Sequence, residues 1–315
     1  MEIEEGKMNK LVCFVMGVAL PICCFAKEKP RPKILQILQV RILATNQPEA
    51  SAFYYGILRT LALAGTDTAK CKWCEKVSKG INGPVVLDPV QGSLPDNLIS
   101  AVVFKTDAAE DLRILLEKNK VKVEKWTKWP SGAMFTVFDP EGHRLIFVQA
   151  PDYNQPTLSV PGAYEEPLPY WPHIIHAGFL VHDRAAMDRF YKDILGFHVY
   201  WQGGMSDGET NWVDMQVPDG TDWIEYMLNV PPNADRHTLG VMNHIALGVA
   251  NMKAADQQLL DADLHSPIDQ APKIGRDGKW QLNLYDPDGT RVELMEFTPV
   301  EKPCCSEYTG PHPKP

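Results

Sequence analysis

The chain has 315 residues, 44% apolar and 23% charged, with a formal net charge of -9 and no long basic run. Such a length and composition suit two ordinary domains with real cores. The acidic balance gives no electrostatic footprint for nucleic acid, so none is expected as a partner.

In chain order, Lys7 and Lys10 precede an apolar run from Leu11 to Phe25, and Cys24-Phe25-Ala26 reads as a small-x-Ala cleavage site. Residues 1–26 therefore read as a signal peptide, and the mature protein as exported, periplasmic or secreted. The run falls short of the roughly 20 residues that cross a bilayer. No stable membrane insertion is expected after cleavage. Cys71-x-x-Cys74 reads as a disulfide, a redox pair or half a zinc site, but no second CxxC accompanies it and Cys304-Cys305 lie in a Pro-rich tail, so a structural role or none is favoured over catalysis.

Residues 34–150 form a first body. Gln39–Ala44 reads as a strand leading into a helix with Phe53-Tyr54, and the order restarts at Ser100–Lys105. The turn Phe138-Asp-Pro-Glu-Gly142 then precedes a strand at Leu145–Val148. Residues 151–172 carry Pro151, Pro156, Pro161, Pro167, Pro169 and Pro172 and read as a linker.

Residues 173–298 repeat the scheme. A strand at His176–Val181 leads into a helix at Ala185–Leu195, with Met187, Phe190, Tyr191 and Ile194 on one face. Phe190-Tyr191 follow His176 at the spacing by which Phe53-Tyr54 follow Gln39. Strands are predicted at Phe197–Trp201, Thr210–Val217 and Trp223–Asn229. The order restarts with His244–Val249, a helix at Met252–Ala262, and strands near Trp280–Tyr285 and Arg291–Phe297. Asp-Pro-x-Gly at Asp286–Gly289 matches the turn of the first body; Pro presets φ and Gly supplies φ > 0. Four βαβββ modules in tandem, an α+β fold, account for the pattern. Residues 299–315 read as an extended tail.

From His176 to Glu225 is 49 positions, and from His244 to Glu293 again 49. Each His opens the first strand of its module and each Glu lies in the last. Strand residues alternate faces, so Trp223, Glu225, Met227 and Asn229 share one side. The small residues beside each His, Gly178, Ala246 and Gly248, are expected to leave room for a ligand. An unpaired carboxylate on a buried face is costly, and one divalent cation satisfies two glutamates and two imidazoles together. His176, Glu225, His244 and Glu293 are thus the predicted ligands of one ion (Ni, Zn, Mn, Co or Fe(II)). Trp212, Trp223, Tyr226, Met227, Trp280 and Met295 are candidate cavity residues, each weighed against a plain core role. His173, His182 and His198 receive only a structural reading.

Asn243-His-Ile-Ala-Leu-Gly-Val249 and Asp286-Pro-Asp-Gly-Thr-Arg-Val-Glu-Leu294 resemble hallmark segments of the vicinal oxygen chelate superfamily. It includes glyoxalase I, extradiol dioxygenases and bleomycin-resistance proteins, and the resemblance covers most of residues 34–298. It implies two cupped-sheet domains, the first without metal ligands, because Gln39, Ser100, Ile146 and Leu87 or a neighbour stand at the ligand positions. It also requires modules 3 and 4 together, within one chain or across a homodimer.

By the same resemblance the reaction is that of a glyoxalase-type lyase or isomerase on a small oxygenated substrate. Glu293 is then the base, Glu225 a ligand able to exchange roles with it, and Asn229 a substrate contact beside Met227, Trp280 and Trp212. Leu180 stands where glyoxalase I carries an Arg for the tripeptide carboxylate, which argues against glutathione. An extradiol Fe(II) dioxygenase is the alternative, with His176, His244 and Glu293 as its triad; Glu225 and Asn283, in place of the family's Tyr, count against it. A non-catalytic binding or resistance protein is the third reading, disfavoured by the intact ligand set.

Overall fold

The computed structural model describes residues 30–58, 83–150, 170–261 and 271–314. The predicted signal segment, Cys71 and Cys74, and most of the linker lie outside them. Pro32–Pro315 make one compact unit, and no helix among the described residues is long and apolar enough to cross a membrane.

Among the described residues of that unit stand two sheets. The first has the order β2-β1-β3-β6-β5-β4, built from β1 (Ile34–Ala44), β2 (Val85–Pro89), β3 (Ile99–Thr106), β4 (Val123–Trp129), β5 (Gly132–Phe138) and β6 (Arg144–Gln149). The second has the order β12-β13-β14-β11-β7-β10-β9-β8. Its strands are β7 (Tyr170–Leu180), β8 (His198–Gly203), β9 (Trp212–Gln216), β10 (Trp223–Met227), β11 (His244–Val249), β12 (Lys273–Ile274), β13 (Trp280–Tyr285) and β14 (Arg291–Glu296). Modules 3 and 4 thus share one sheet, joined where β7 meets β11 antiparallel. This is the α+β architecture of two cupped sheets that the repeats predict. Strand β7 starts at Tyr170, inside the stretch read as linker. A helix at Arg236–Met242, capped by the Asp235 carboxylate on Thr238 N, lies where no element was expected.

Strand alternation sorts the side chains. Ala177, Phe179, Ile224, Tyr226, Ile245, Leu247, Val292 and Leu294 join Ile37, Val102, Phe104, Phe135 and Phe147 of the first sheet in one core. The opposite, cupped faces differ in character. That of the first sheet is apolar, with Leu38, Ala101, Val103, Ile146 and Val148 clustered. Gln39 there donates its amide to Gly83 O at 2.8 Å, and Ser100 Oγ donates to Asp88 at 3.1 Å. That of the second sheet carries the acids and imidazoles described below.

The helices at Gln47–Ser51 and Arg184–Asp188 both run on into a wider turn, Ala52–Ile57 and Arg189–Ile194. There Leu58 N bonds Phe53 O and Leu195 N bonds Phe190 O, each five residues back. The paired turns aim Tyr54 and Tyr191 at the Asp-Pro-x-Gly turn of the other body. Tyr54 OH donates to Asp286 at 2.9 Å and Tyr191 OH to Asp139 at 3.1 Å. Asp139 Oδ2 also meets His143 Nδ1 at 2.8 Å. Tyr54→Phe is therefore expected to lose about 1–3 kcal/mol by stripping a buried carboxyl of a donor, and Tyr191→Phe less. Urea unfolding of the two variants checks the order.

A second link joins the sheets at Asp222, which accepts from Ile37 N at 2.7 Å and meets His173 Nε2 at 2.8 Å. Burial draws the His173 pKa down, but the Asp222 charge and hydrogen bond outweigh it and leave it above 6.5. A raised histidine contributes stability that is complete below the unfolded value and fades as pH rises through the folded one. The urea midpoint is expected to fall as pH rises from the ordinary histidine value through the raised one. Asp222→Asn should flatten the slope.

Candidate metal centre

Equal spacing in the two modules becomes equal register in the sheet. Across one row, Asp214 on β9 faces Glu225 on β10, Glu225 faces Gly178 on β7, and Gly178 faces His244 on β11. Across the next, His176 on β7 faces Ala246 on β11, Ala246 faces Glu293 on β14, and Glu293 faces Asn283 on β13. Each glutamate is thus separated from the other module's histidine by one small residue, so the two side chains reach over it.

They meet at the centre. His176 Nε2 and His244 Nε2 are 3.1 Å apart. Glu225 Oε2 lies 2.9 Å from His244 Nε2 and 3.6 Å from His176 Nε2, and Glu293 Oε2 lies 3.5 Å from His176 and 3.9 Å from His244. His176, His244 and Glu293 offer ligand atoms all within 4.8 Å of one another. His176, His244 and Glu293 are buried, and the Glu225 side chain is 13% exposed.

This donor set fits a divalent cation. His244 Nδ1 is 3.2 Å from Met242 O, which places a proton there and leaves the Nε2 lone pair facing inward, the tautomer a metal ligand needs. Two imidazole nitrogens face each other among carboxylates, a crowding that a shared cation resolves. Arg291 supplies positive charge beside them, its guanidinium 2.7 Å from His244 Nε2. Burial first and Arg291 next push the His244 pKa down to about 4, so the ring is neutral at neutral pH. Burial works against ionisation of Glu293, but the His176 hydrogen bond and the Arg291 charge prevail and hold it at about 2. Glu225 is lowered in the same way, chiefly by His244 against its own burial.

Gly178 matters for a reason other than the one expected. A Cβ there would lie 2.1 Å from His244 Cε1, so the space serves the imidazole and not a ligand; at Gly248 the Phe297 ring fills the corresponding space.

A cavity of about 110 Å³ opens over His176, Glu225 and Glu293, its wall including Trp201, Trp212, Trp223, Asp214, Asp277 and Met295. Trp212, Trp223 and Met295 are placed there as candidates from the sequence; three others are not. Trp280 packs against the main core beside Leu282 and Leu284, because Gln281 and Asn283 take the cupped face of β13. Tyr226 also belongs to that core, one residue out of phase with Glu225. Met227 is buried but does not line the cavity. Asn229 lies past the end of β10 at φ 62°, its amide donating to Thr210 O at 2.9 Å, outside the cavity.

Asp214, Arg276, Asp277, Gln281 and Arg291 were not anticipated. Alternation carried the signal for Asp214, an acid in step with Trp212 on a strand one removed from Glu225.

The tail is no loose extension. Cys304 O accepts from Trp201 Nε1 at 3.1 Å, Ser306 Oγ accepts from Gln202 N at 2.9 Å, Pro311 O accepts from Gln216 Nε2 at 2.9 Å, and Tyr308 OH donates to Asp277 O at 2.8 Å. Cys304 and Cys305 are disulfide-bonded to each other. Hydrogen bonds to the sheet, and not a periodic apolar face, fix this segment, which is why its sequence reads as unstructured.

Residues 173–294 match the family model described as the Glyoxalase/Bleomycin resistance protein/Dioxygenase superfamily. The matched stretch carries all four predicted ligands and falls within the residues of the second sheet. Similar solved structures include an extradiol ring-cleaving dioxygenase from B. fuscum, at 18% identity and TM-score 0.59, covering 84% of this chain and 72% of that one. A variant of homoprotocatechuate 2,3-dioxygenase from B. fuscum matches at 18% identity and TM-score 0.59 over 90% of this chain and 74% of that one. A catechol 2,3-dioxygenase matches at 12% identity and TM-score 0.57 over 90% and 96%. At these identities the likeness is one of fold. No curated protein matches the sequence.

Proposed function

We propose that the protein is a divalent-metal enzyme of the glyoxalase type, a lyase or isomerase acting on a small oxygenated substrate. The observation that carries this is Glu225, whose oxygen stands as near the two imidazoles as that of Glu293 and makes a set of four donors. His176, His244, Glu225 and Glu293 would hold the ion, and a bound divalent ion would polarise vicinal oxygens of the substrate as a Lewis acid.

The chain's own residues do the rest. Trp201, Trp212 and Trp223 exclude water and give a flat apolar lining. One of the two glutamates takes the proton beside the carbonyl. It returns that proton to the neighbouring carbon. Glu293 is the favoured base by the resemblance to glyoxalase-type sites, with Glu225, which lines the same cavity, able to exchange roles with it. Asp214 and Asp277 in the wall suit a substrate whose hydroxyls donate hydrogen bonds. Leu180 at the glutathione position, together with the export inferred from residues 1–26, supports a substrate other than a glutathione adduct.

A second reading, an extradiol Fe(II) dioxygenase, is favoured by one observation: His176, His244 and Glu293 form a compact two-histidine, one-carboxylate set, as in that class of oxygenase. The dioxygenase neighbours support it at the level of fold. One experiment separates the two. Native protein is assayed for metal, then given ketones, hemithioacetals and catechols in deuterated buffer with an oxygen electrode. Solvent deuterium incorporated without oxygen uptake is the expected result. Oxygen consumption on catechols with iron bound would replace the first reading by the second.

A further inference from the structure

The eight-stranded sheet ends with β12 and β13 on one edge and with β9 and β8 on the other. Arg276 lies on the turn between β12 and β13, and Asp207 in the loop between β8 and β9. Their side chains nevertheless form an ion pair. Residues from opposite edges of one sheet meet only because the sheet is cupped, so the pair bridges the rim. Arg276 also lines the cavity over His176, Glu225 and Glu293, as does Gln281.

Much of the guanidinium is unused. Nη2 donates to Asp207 and lies 3.5 Å from Cys305 Sγ. Nε is buried and has no hydrogen-bond partner among the described residues. A guanidinium presents five N–H groups in a rigid fork that matches the two oxygens of a carboxylate. Asp207 shows that this fork takes one, but the Asp207 side chain is 92% exposed. A pair held so far out in solvent is weak and readily exchanged.

The backbone beneath the fork is fixed. Gly275 N donates to Lys279 O at 2.8 Å, Gly278 N to Gly275 O at 3.0 Å, and Cys304 N of the tail to Arg276 O at 2.8 Å. The other arginine of the wall, Arg291, is turned inward to His244 at 2.7 Å. Gln281 gives its amide to Asp277 at 3.2 Å. Arg276 is thus a cation on a held turn, facing the cavity on one side and a displaceable carboxylate on the other.

We propose that Arg276 sets the specificity of this cavity: its guanidinium takes a carboxylate of the substrate in exchange for Asp207. The inference rests on the metal-centre reading and narrows its substrate to a small oxygenated acid, with one carboxylate besides the vicinal oxygens. A neutral molecule leaves the Arg276–Asp207 pair as it stands, whereas an acid gains charge-assisted hydrogen bonds from a fork already in place. Size agrees. A cavity of about 150 Å³ accommodates benzene, so one of about 110 Å³ takes a compact molecule.

Malate and its 4-amide test this. Both carry a 2-hydroxycarboxylate with vicinal oxygens, and only malate has a carboxylate to spare. The full chain is loaded with Zn(II), uptake is measured by competition with a chromophoric chelator, and binding of each compound is read from tryptophan fluorescence. Malate is expected to bind the natural chain at least about tenfold more tightly than the amide. Arg276→Gln abolishes that preference by weakening malate, and Arg276→Lys restores part of it. Asp207→Asn removes the competitor and tightens malate several-fold without changing the amide. A natural chain that takes up Zn(II) but does not prefer malate, or an Arg276→Gln chain that keeps the preference, overturns the inference and leaves the metal centre standing. A natural chain that takes up no ion removes the metal reading and this inference with it.

Discussion

Glu293→Gln is expected to lower divalent-ion affinity by more than about a hundredfold and to abolish turnover, and Glu225→Gln to lower affinity by a comparable factor. The reasoning starts from the sheet. Each glutamate faces a small residue, Gly178 for Glu225 and Ala246 for Glu293, and reaches over it to the histidines. Both carboxylates therefore occupy equivalent places about the centre. Mutation of groups that merely orient metal ligands lowers affinity about 10–100-fold, so loss of a ligand itself should exceed that range. Glutamine keeps the shape and removes the charge, which separates ligation from packing. Competition against a chelator of known affinity reads the result for each variant. Equal losses fit four donors and the lyase or isomerase reading. A loss confined to Glu293→Gln would leave the compact triad of His176, His244 and Glu293, and with it the dioxygenase reading.

What the sequence disclosed, and what it hid, follows from the same geometry. Two pairs of residues at identical spacing within repeated modules must fall at identical register once the modules share a sheet, so the four central side chains were legible without coordinates. Alternation placed Trp212, Trp223 and Met295 on the cup by the same logic. It fails where an assignment ignores parity: Tyr226 is adjacent to Glu225 and must face the core, and Trp280 is in phase with Leu282 and Leu284. It also fails past the end of a strand. Asn229 counts as in phase with Glu225 only while the chain stays extended, and at φ 62° it does not.

The remaining wall was hidden for a different reason. Arg276, Asp277 and Lys279 sit on a tight turn between β12 and β13, where Gly278 takes φ 82°. No period governs side chains there. The burial of Asp277 and Lys279 depends on the tail, which holds Cys304 N to Arg276 O at 2.8 Å and Val300 N to Gly278 O at 2.8 Å. A Pro-rich segment with no repeating pattern thus finishes a cavity begun by the most regular part of the molecule. Long-range contacts of this kind leave no local trace in the sequence.

The register argument has a sharper consequence at Gly178, where the smallest possible change meets the centre itself. A methyl group at this position would stand 2.1 Å from His244 Cε1 and 2.3 Å from Nδ1, well inside contact distance. The strand backbone accepts alanine readily, because Gly178 does not adopt positive φ. The strain must therefore fall on the imidazole, which has to swing away from Met242 O and lose the hydrogen bond that sets its tautomer. Gly178→Ala is accordingly expected to weaken ion binding by more than about a hundredfold, with the overpacking lowering stability by about 1–3 kcal/mol. Gly248→Ala supplies the control. There the methyl group meets the Phe297 ring at 2.1 Å, so the stability loss should be similar while ion affinity stays near that of the natural chain. Chelator competition and urea unfolding on both variants read the two quantities separately. If Gly178→Ala bound the ion normally, His244 could not be a ligand in the position the sheet gives it, because the added methyl group and the imidazole in that position would occupy the same space.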